Sequence, residues 1–289
     1  MAEETRTWTR LQNNSRSDDP IEKKFRELGN RAEGVIVAYL MGHDPDPKAF
    51  VADAESLIEG GADILEVGIP FSDPVADGPV IQAAGTRALF AGATPRKIID
   101  TIGELSSQYT TPFVILTYYN PILAMGIDQF MKNASDNGVN GVVVPDLPME
   151  EGDRFRDTAL KHNIDSILLA APNTSEKRLA GILEKSRGFV YLVSLYGVTG
   201  PRDTLSPQAL ETVKKVKSLA KGVIPISAGF GISQPQHVSS LLRAGADGAI
   251  VGSALVRTVA EHLDDPREAP HYLKKTITAL KQASKQPGC

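Results

Sequence analysis

Eight short runs of Val, Ile and Leu recur along the chain, at Gly34–Met41, Ala62–Ile69, Pro112–Tyr119, Asn140–Pro145, Asp165–Ala170, Gly188–Ser194, Val223–Ala228 and Gly248–Val251. They are apolar throughout rather than at every second residue. A strand of that kind offers no face to water, so it belongs in a parallel sheet covered on both sides. Each run is followed by residues with helical spacing, as at Lys48–Ile58, Glu151–His162, Pro207–Ala220 and Gln236–Ala244. Eight β–α units in one chain of 289 residues favour an α/β fold, a single closed (β/α)8 barrel. A doubly wound open sheet is the alternative reading of the same alternation. The barrel is expected over residues 20–283, with a flexible polar tail at 1–19 and a frayed end at 284–289.

The two ends of the runs differ. Gly or Pro falls at or just past the C-terminal ends, as in Gly42, Gly68-Ile69-Pro70, Asn120-Pro121, Pro145, Gly229-Phe230-Gly231 and Gly252. In a (β/α)8 barrel those loops build the working face. The opposite ends repeat a short turn, Gly61-Ala62-Asp63, Gly138-Val139-Asn140 and Gly245-Ala246-Asp247, and that half is expected to serve stability. Aligned on these glycines, one position holds Val143 in the second copy, Ile250 in the third and Glu66 in the first. A carboxylate among aliphatics costs several kcal/mol when unpaired, or is pushed towards its neutral form. Glu66 is therefore a candidate proton-handling group, with a buried carboxylate satisfied by hydrogen bonds as the plainer alternative.

Three loops on the working face carry further signals. Pro70–Pro79 holds Asp73 and Asp77 among prolines and glycines that pre-shape it. Asp77 can face the same cavity as Glu66, and two carboxylates in unlike environments can divide into a proton donor and an ionised partner. Both aspartates can also be plain turn-formers. The seventh and eighth runs end in Gly229-Phe230-Gly231 and Gly252-Ser253, where barrels of this type commonly bind phosphate through backbone amides and a helix N-terminus. Ser194–Thr204, with Gly197 and Gly200, has the composition of a closing lid or of an ordinary long loop.

Other chemistries find little support. The net charge of −4 and pI near 5.8 argue against a nucleic-acid or membrane-surface partner. No apolar run approaches the ~18 residues of a membrane span. The start lacks a secretory signal, and the one cysteine, Cys289, is terminal, so a cytoplasmic setting is expected. The five histidines show no metal-ligand spacing, and no metal is expected.

The stretch Leu65-Glu66-Val67-Gly68-Ile69-Pro70-Phe71-Ser72-Asp73-Pro74-Val75-Ala76-Asp77-Gly78-Pro79 resembles the signature of the tryptophan synthase alpha subunit family. The resemblance continues through Tyr118-Tyr119-Asn120-Pro121, Pro145-Asp146-Leu147-Pro148, Gly197-Val198-Thr199-Gly200, Gly229-Phe230-Gly231 and Val251-Gly252-Ser253, over roughly residues 21–283. It implies a TIM barrel, and a lyase that splits indole-3-glycerol phosphate into indole and glyceraldehyde 3-phosphate in tryptophan biosynthesis. By position, Glu66 resembles the family's general acid/base, Asp77 its partner at the indole nitrogen, and Tyr191 the tyrosine near the glutamate. Gly200, Gly231, Gly252 and Ser253 match the phosphate binders, and Tyr39, Leu116, Val143 and Phe230 the indole pocket. Thr199 matches the lid threonine, and Asp73 a contact to the partner. That partner is the beta subunit of an α2β2 complex, which receives the indole and holds the pyridoxal phosphate; no cofactor is expected on this chain. A stand-alone lyase and a catalytically quiet homologue remain as alternatives. So does indole-glycerol-phosphate synthase, although no run here ends in the lysine that such a barrel should show. The chain departs from the pattern at His43, where a glycine is usual, and at Leu195, where many members have arginine.

Overall fold

A strand buried on both faces needs cover on both, and a sheet closed on itself supplies one of them from its own side chains. The computed structural model describes residues 19–193 and 204–285. Its eight parallel strands close in sequence order into one barrel. They are β1 (Val35–Met41), β2 (Ile64–Gly68), β3 (Phe113–Leu116), β4 (Val139–Val143), β5 (Asp165–Ala170), β6 (Val190–Val193), β7 (Ile226–Gly229) and β8 (Gly248–Val251). Around them, in chain order, run α1 (Pro20–Gly29), α2 (Pro47–Glu59), α3 (Pro79–Phe90), α4 (Pro95–Ser106), α5 (Tyr119–Met125) and α6 (Ile127–Asp136). The ring continues with α7 (Asp153–Lys161), α8 (Glu176–Lys185), α9 (Pro207–Ala220), α10 (Pro235–Arg243), α11 (Ser253–Glu261) and α12 (Ala269–Ser284). The closed barrel decides against the open sheet.

Proline sets where many helices start. α1, α2, α4 and α9 open with Pro after Asp19, Asp46, Thr94 and Ser206, whose side chains accept backbone N–H groups of the first turn. The missing proline N–H is one that a helix start leaves unused anyway. Several expected strands are longer than the real ones, the third and seventh among them. The third ends at Leu116, since Tyr118 caps α5 and Tyr119 begins it. The seventh begins only at Ile226, a few residues after Lys221 and Gly222 turn the chain at φ +46° and +73°.

The repeated glycine turns act at the N-terminal end of the barrel. Gly61, Gly138 and Gly245 all have positive φ, +104°, +76° and +103°. An L side chain would be strained in that backbone conformation. Two residues on, a polar side chain accepts an N–H of the preceding strand. Asp63 takes the Ile36 N–H at 2.8 Å, Asn140 that of Phe113 at 3.0 Å, and Asp247 that of Ile226 at 2.9 Å. In the remaining pair Ser186, just before β6, takes the N–H of Leu168 at 3.0 Å. All four even-numbered strands are thus tied to the odd-numbered strand before them. Lys281 on Asp63 and Lys217 on Asp247 extend two of these ties to α12 and α9.

α1, which the sequence reading left without an assignment, seals this end. Its buried Ile21, Phe25 and Leu28 join Val35, Val37, Ile64, Val114, Val143, Ile167, Phe189 and Ile250 in the lumen. Fully burying each of the larger side chains contributes about 1.5–3 kcal/mol. The barrel also reaches slightly beyond 20–283. Asp19 caps α1, and Ser284 is the buried last residue of α12, its carbonyl accepting from Gly34 N–H at 2.9 Å. The rest of both expected tails, 1–18 and 286–289, lies outside the described residues.

Asn140→Ala should lower stability by about 1–3 kcal/mol, because the Phe113 N–H is left without its acceptor. Urea denaturation checks this. A loss below about 0.5 kcal/mol, within the range of ordinary surface substitutions, would show that the tie contributes nothing.

Candidate active site

Val143 and Ile250, which hold the place of Glu66 in the other repeats, both point into the lumen. Glu66 shares a face of β2 with the lumen residue Ile64 and stands beside Tyr39 and Val114 on the neighbouring strands. It is 0% exposed, and neither carboxylate oxygen has a hydrogen-bond partner among the described residues. Burial alone pushes its pKa up to about 8. A hydrocarbon lumen thus holds an acid that keeps its proton at neutral pH.

Two tyrosines lie over that acid, and two glycines make room for them. A side chain at Gly68, the next lumen position above Glu66, would begin 2.3 Å from the Tyr39 hydroxyl oxygen. One at Gly229 would begin 3.2 Å from the Tyr191 ring. Both phenols are held well above their ordinary range by burial first, and then by the nearby charges of Glu66 and Asp77. Tyr39, Leu116, Leu169, Tyr191 and Ile250 line the apolar part of a cavity of about 760 Å³ at the C-terminal end of the barrel. Glu66 is not itself on the wall.

Asp77 enters this cavity from the loop between β2 and α3, flanked by Val75, Ala76 and Gly78. Burial raises its pKa to about 6, against a lowering hydrogen bond from Tyr118. The two carboxyls therefore differ. Between about pH 6 and 8 Glu66 is protonated and Asp77 ionised. Tyr118, to which the sequence reading gave no role, also accepts the Ala76 N–H at 2.9 Å.

Across the cavity, Gly231, Gly252 and Ser253 stand together. Gly231 has φ +72° and open space where a side chain would start, while Gly252 and Ser253 form the N-terminus of α11. Free backbone N–H groups and a hydroxyl make a cradle for an anion. Arg178 is the one basic side chain on the cavity wall among the described residues.

Of the four expected pocket residues, Tyr39 and Leu116 line the cavity, while Val143 and Phe230 do not. Val143 is wholly buried in the lumen, and Phe230 packs into the layer between sheet and helices. Thr199, Gly200 and Leu195 lie outside the described residues. His43 takes φ +64°, the backbone a glycine adopts readily. Its ring is held by the Thr101 hydroxyl at 2.9 Å from Nε2 and by Phe50, 5.9 Å between ring centres. Asp44 beside it is clamped by both arms of Arg87 at 2.7 and 2.8 Å. Among the described residues no group of three or more His, Cys, Asp or Glu could hold a metal ion, and no helix is long and apolar enough to cross a membrane.

The sequence model of the tryptophan synthase alpha chain matches residues 25–285. The chain belongs to that family. It is 43% identical to the tryptophan synthase alpha chain of Methanoregula boonei over 266 residues, 92% of this chain and 98% of that one. The crystal structure of the alpha chain from Legionella pneumophila superposes with a TM-score of 0.85 at 31% identity, over 94% of this chain and 99% of the other. A chain from a structure of the tryptophan synthase α2β2 complex of Pyrococcus furiosus gives 0.79 at 40% identity, over 86% and 98%. As an alpha chain of tryptophan synthase it is a carbon–carbon lyase of tryptophan biosynthesis that cleaves indole-3-glycerol phosphate.

The acid in the lumen has a consequence for stability. Folded Glu66 keeps its proton up to about pH 8, while the unfolded residue loses it near its ordinary 4.5. Across that window the unfolded state binds fewer protons, so this group's contribution falls as pH rises. Glu66→Gln should therefore melt above the parent at pH 8, with the gap narrowing towards pH 5, as followed by circular dichroism. A gap independent of pH would mean the folded carboxyl is ionised throughout.

Proposed function

We propose that Glu66 is the general acid and base of the cleavage, with Asp77 as the ionised partner at the indole nitrogen. The observation that carries this reading is a wholly buried, unpartnered acid beneath a cavity with a carboxylate on one side and an anion cradle on the other. Since no hydrogen bond holds its oxygens, turning the Glu66 carboxyl towards the cavity breaks none.

In the first step Glu66 gives its proton to indole C3, which becomes tetrahedral while the ring takes up positive charge. The Asp77 carboxylate stabilises that charge at the nitrogen. Glu66, now ionised, accepts the proton of the glycerol hydroxyl next to C3. As that oxygen becomes a carbonyl, the carbon–carbon bond breaks and its electron pair restores the ring. Indole and glyceraldehyde 3-phosphate leave, and Glu66 is protonated again. No metal or organic cofactor enters these steps.

Gly231, Gly252 and Ser253 hold the phosphate far from the reacting bond, so binding energy orients the substrate; Gly200 lies outside the described residues. Tyr39 and Leu116 support the indole ring, with Val143 and Phe230 behind this wall. Tyr191 packs near Glu66, while the residue expected to act with Asp77, Thr199, lies outside the described residues. The partner is a beta subunit in an α2β2 assembly, which takes the indole and carries the pyridoxal phosphate. The loop with exposed Asp73 and Val75, 81% exposed, suits such a contact. The P. furiosus structure of an α2β2 complex supports the pairing. The setting is the cytoplasm.

Glu66→Gln should lower indole release by at least about a hundredfold, the scale of general acid/base catalysis, with substrate affinity nearly intact. A loss under tenfold would remove Glu66 from this role. Ser253→Asp should instead weaken substrate binding by repelling phosphate, and an unchanged affinity would move the cradle elsewhere. Adding purified beta subunit should raise the rate of indole release and yield a co-eluting complex; neither effect would leave the chain a stand-alone lyase.

A further inference from the structure

The phosphate of indole-3-glycerol phosphate is close to a dianion at neutral pH, since a phosphate monoester has its second pKa at about 6. The chain that takes it up has a net charge of −4, and the cavity carries the Asp77 carboxyl on its wall. The cradle of Gly231, Gly252 and Ser253 offers backbone N–H groups and a hydroxyl, but no full charge. Arg178 stands on the same wall, with Asn173 and Thr174 of the loop before α8. It lies in the first turn of α8, where its backbone N–H donates to the Ser175 hydroxyl oxygen at 3.4 Å. A cation at that end works against the helix dipole. Its Nη2 donates to Oε2 of Glu150 in the β4–α7 loop at 3.2 Å, and the two side chains are 48% and 53% exposed. A bridge so open to water contributes little. Neither α8 nor the bridge gains much from this charge, whereas the cavity does.

We propose that Arg178 captures the substrate, its guanidinium drawing the phosphate end into the cavity in competition with Glu150. The same planar fork suits a carboxylate and a phosphate, and two parallel N–H groups can serve either. Glu150 engages it through one nitrogen. Half in water, the guanidinium is within reach of an arriving anion while it also borders the space where the substrate comes to rest. Its pull extends over about 8–10 Å at ordinary ionic strength and shrinks as salt is added. In this role Arg178 touches no reacting atom. It acts on binding, through KM, and leaves the chemical step alone. The proposal rests on the reading of the cradle as the phosphate site and is independent of the roles given to Glu66 and Asp77.

The test measures indole release by the full chain between about 20 and about 300 mM salt. At the low end Arg178→Gln should lower kcat/KM about three- to tenfold, through KM, with kcat within about twofold of the parent. At the high end the gap should fall below about twofold. Arg178→Lys keeps the charge and should keep most of the low-salt value. Glu150→Gln removes the competing carboxylate and should raise kcat/KM at low salt. A bridge that only held two loops together would be broken by either change to glutamine, and activity would then fall in both. A fall in both, no fall in Arg178→Gln at low salt, or a gap that ignores salt would overturn the proposal. If Ser253→Asp leaves substrate affinity unchanged, the reading of the cradle fails instead, while the opposed effects of Arg178→Gln and Glu150→Gln still report whether Arg178 draws the anion.

Discussion

An acid enclosed by hydrocarbon, with no hydrogen-bond donor to share its charge, is the constraint on which this molecule turns. Ionising Glu66 in place would cost several kcal/mol, so the fold holds it protonated. Everything around it serves that state. The aliphatic lumen removes water from one side and the two tyrosines cover the other. Only a scaffold with stability to spare tolerates this, and the polar ties and helical plug at the far end supply it. The polar ties and the plug lie at the N-terminal ends of the strands, and the cavity opens at the C-terminal ends. This is the division expected of a (β/α)8 barrel.

The paired carboxyls show how one fold sets two different acidities. Glu66 and Asp77 serve the same cavity, and burial raises both, but only Asp77 has a donor opposing the rise. Asp53 shows that burial alone does not make a site. It is 1% exposed in α2, its oxygens are unpartnered, and burial raises it to about 8. Yet it is absent from the wall of the large cavity and has no anion cradle opposite it. What distinguishes Glu66 is the company it keeps.

Much of this was legible in the chain. The barrel could be read because the eight strands carry apolar residues on both faces rather than at alternate positions, and the acid because two internal repeats supplied its control in Val143 and Ile250. The glycine turns were legible as a repeat; their polar third residue as a tie to the preceding strand was not, since the acceptor and its N–H belong to different β–α units. α1 escaped because a ten-residue amphipathic segment beside a polar stretch looks the same whether it floats or plugs a barrel. Tyr118 escaped because its apolar neighbours continue the strand pattern and its partner is remote in sequence. Val143 and Phe230 were placed in the pocket by resemblance, but distance from a cavity is a tertiary quantity that no motif records.

The plug has a bearing on how the polypeptide matures. α1 is made early, but its seat includes Phe189, Gly248 and Ile250, laid down some two hundred residues later. A ribosome-bound intermediate lacking the last β–α unit presents Ile21 and Phe25 as a greasy patch with part of its socket missing. Beginning and end must meet before the interior is dry, so the first helix is seated only once the last strands are in place.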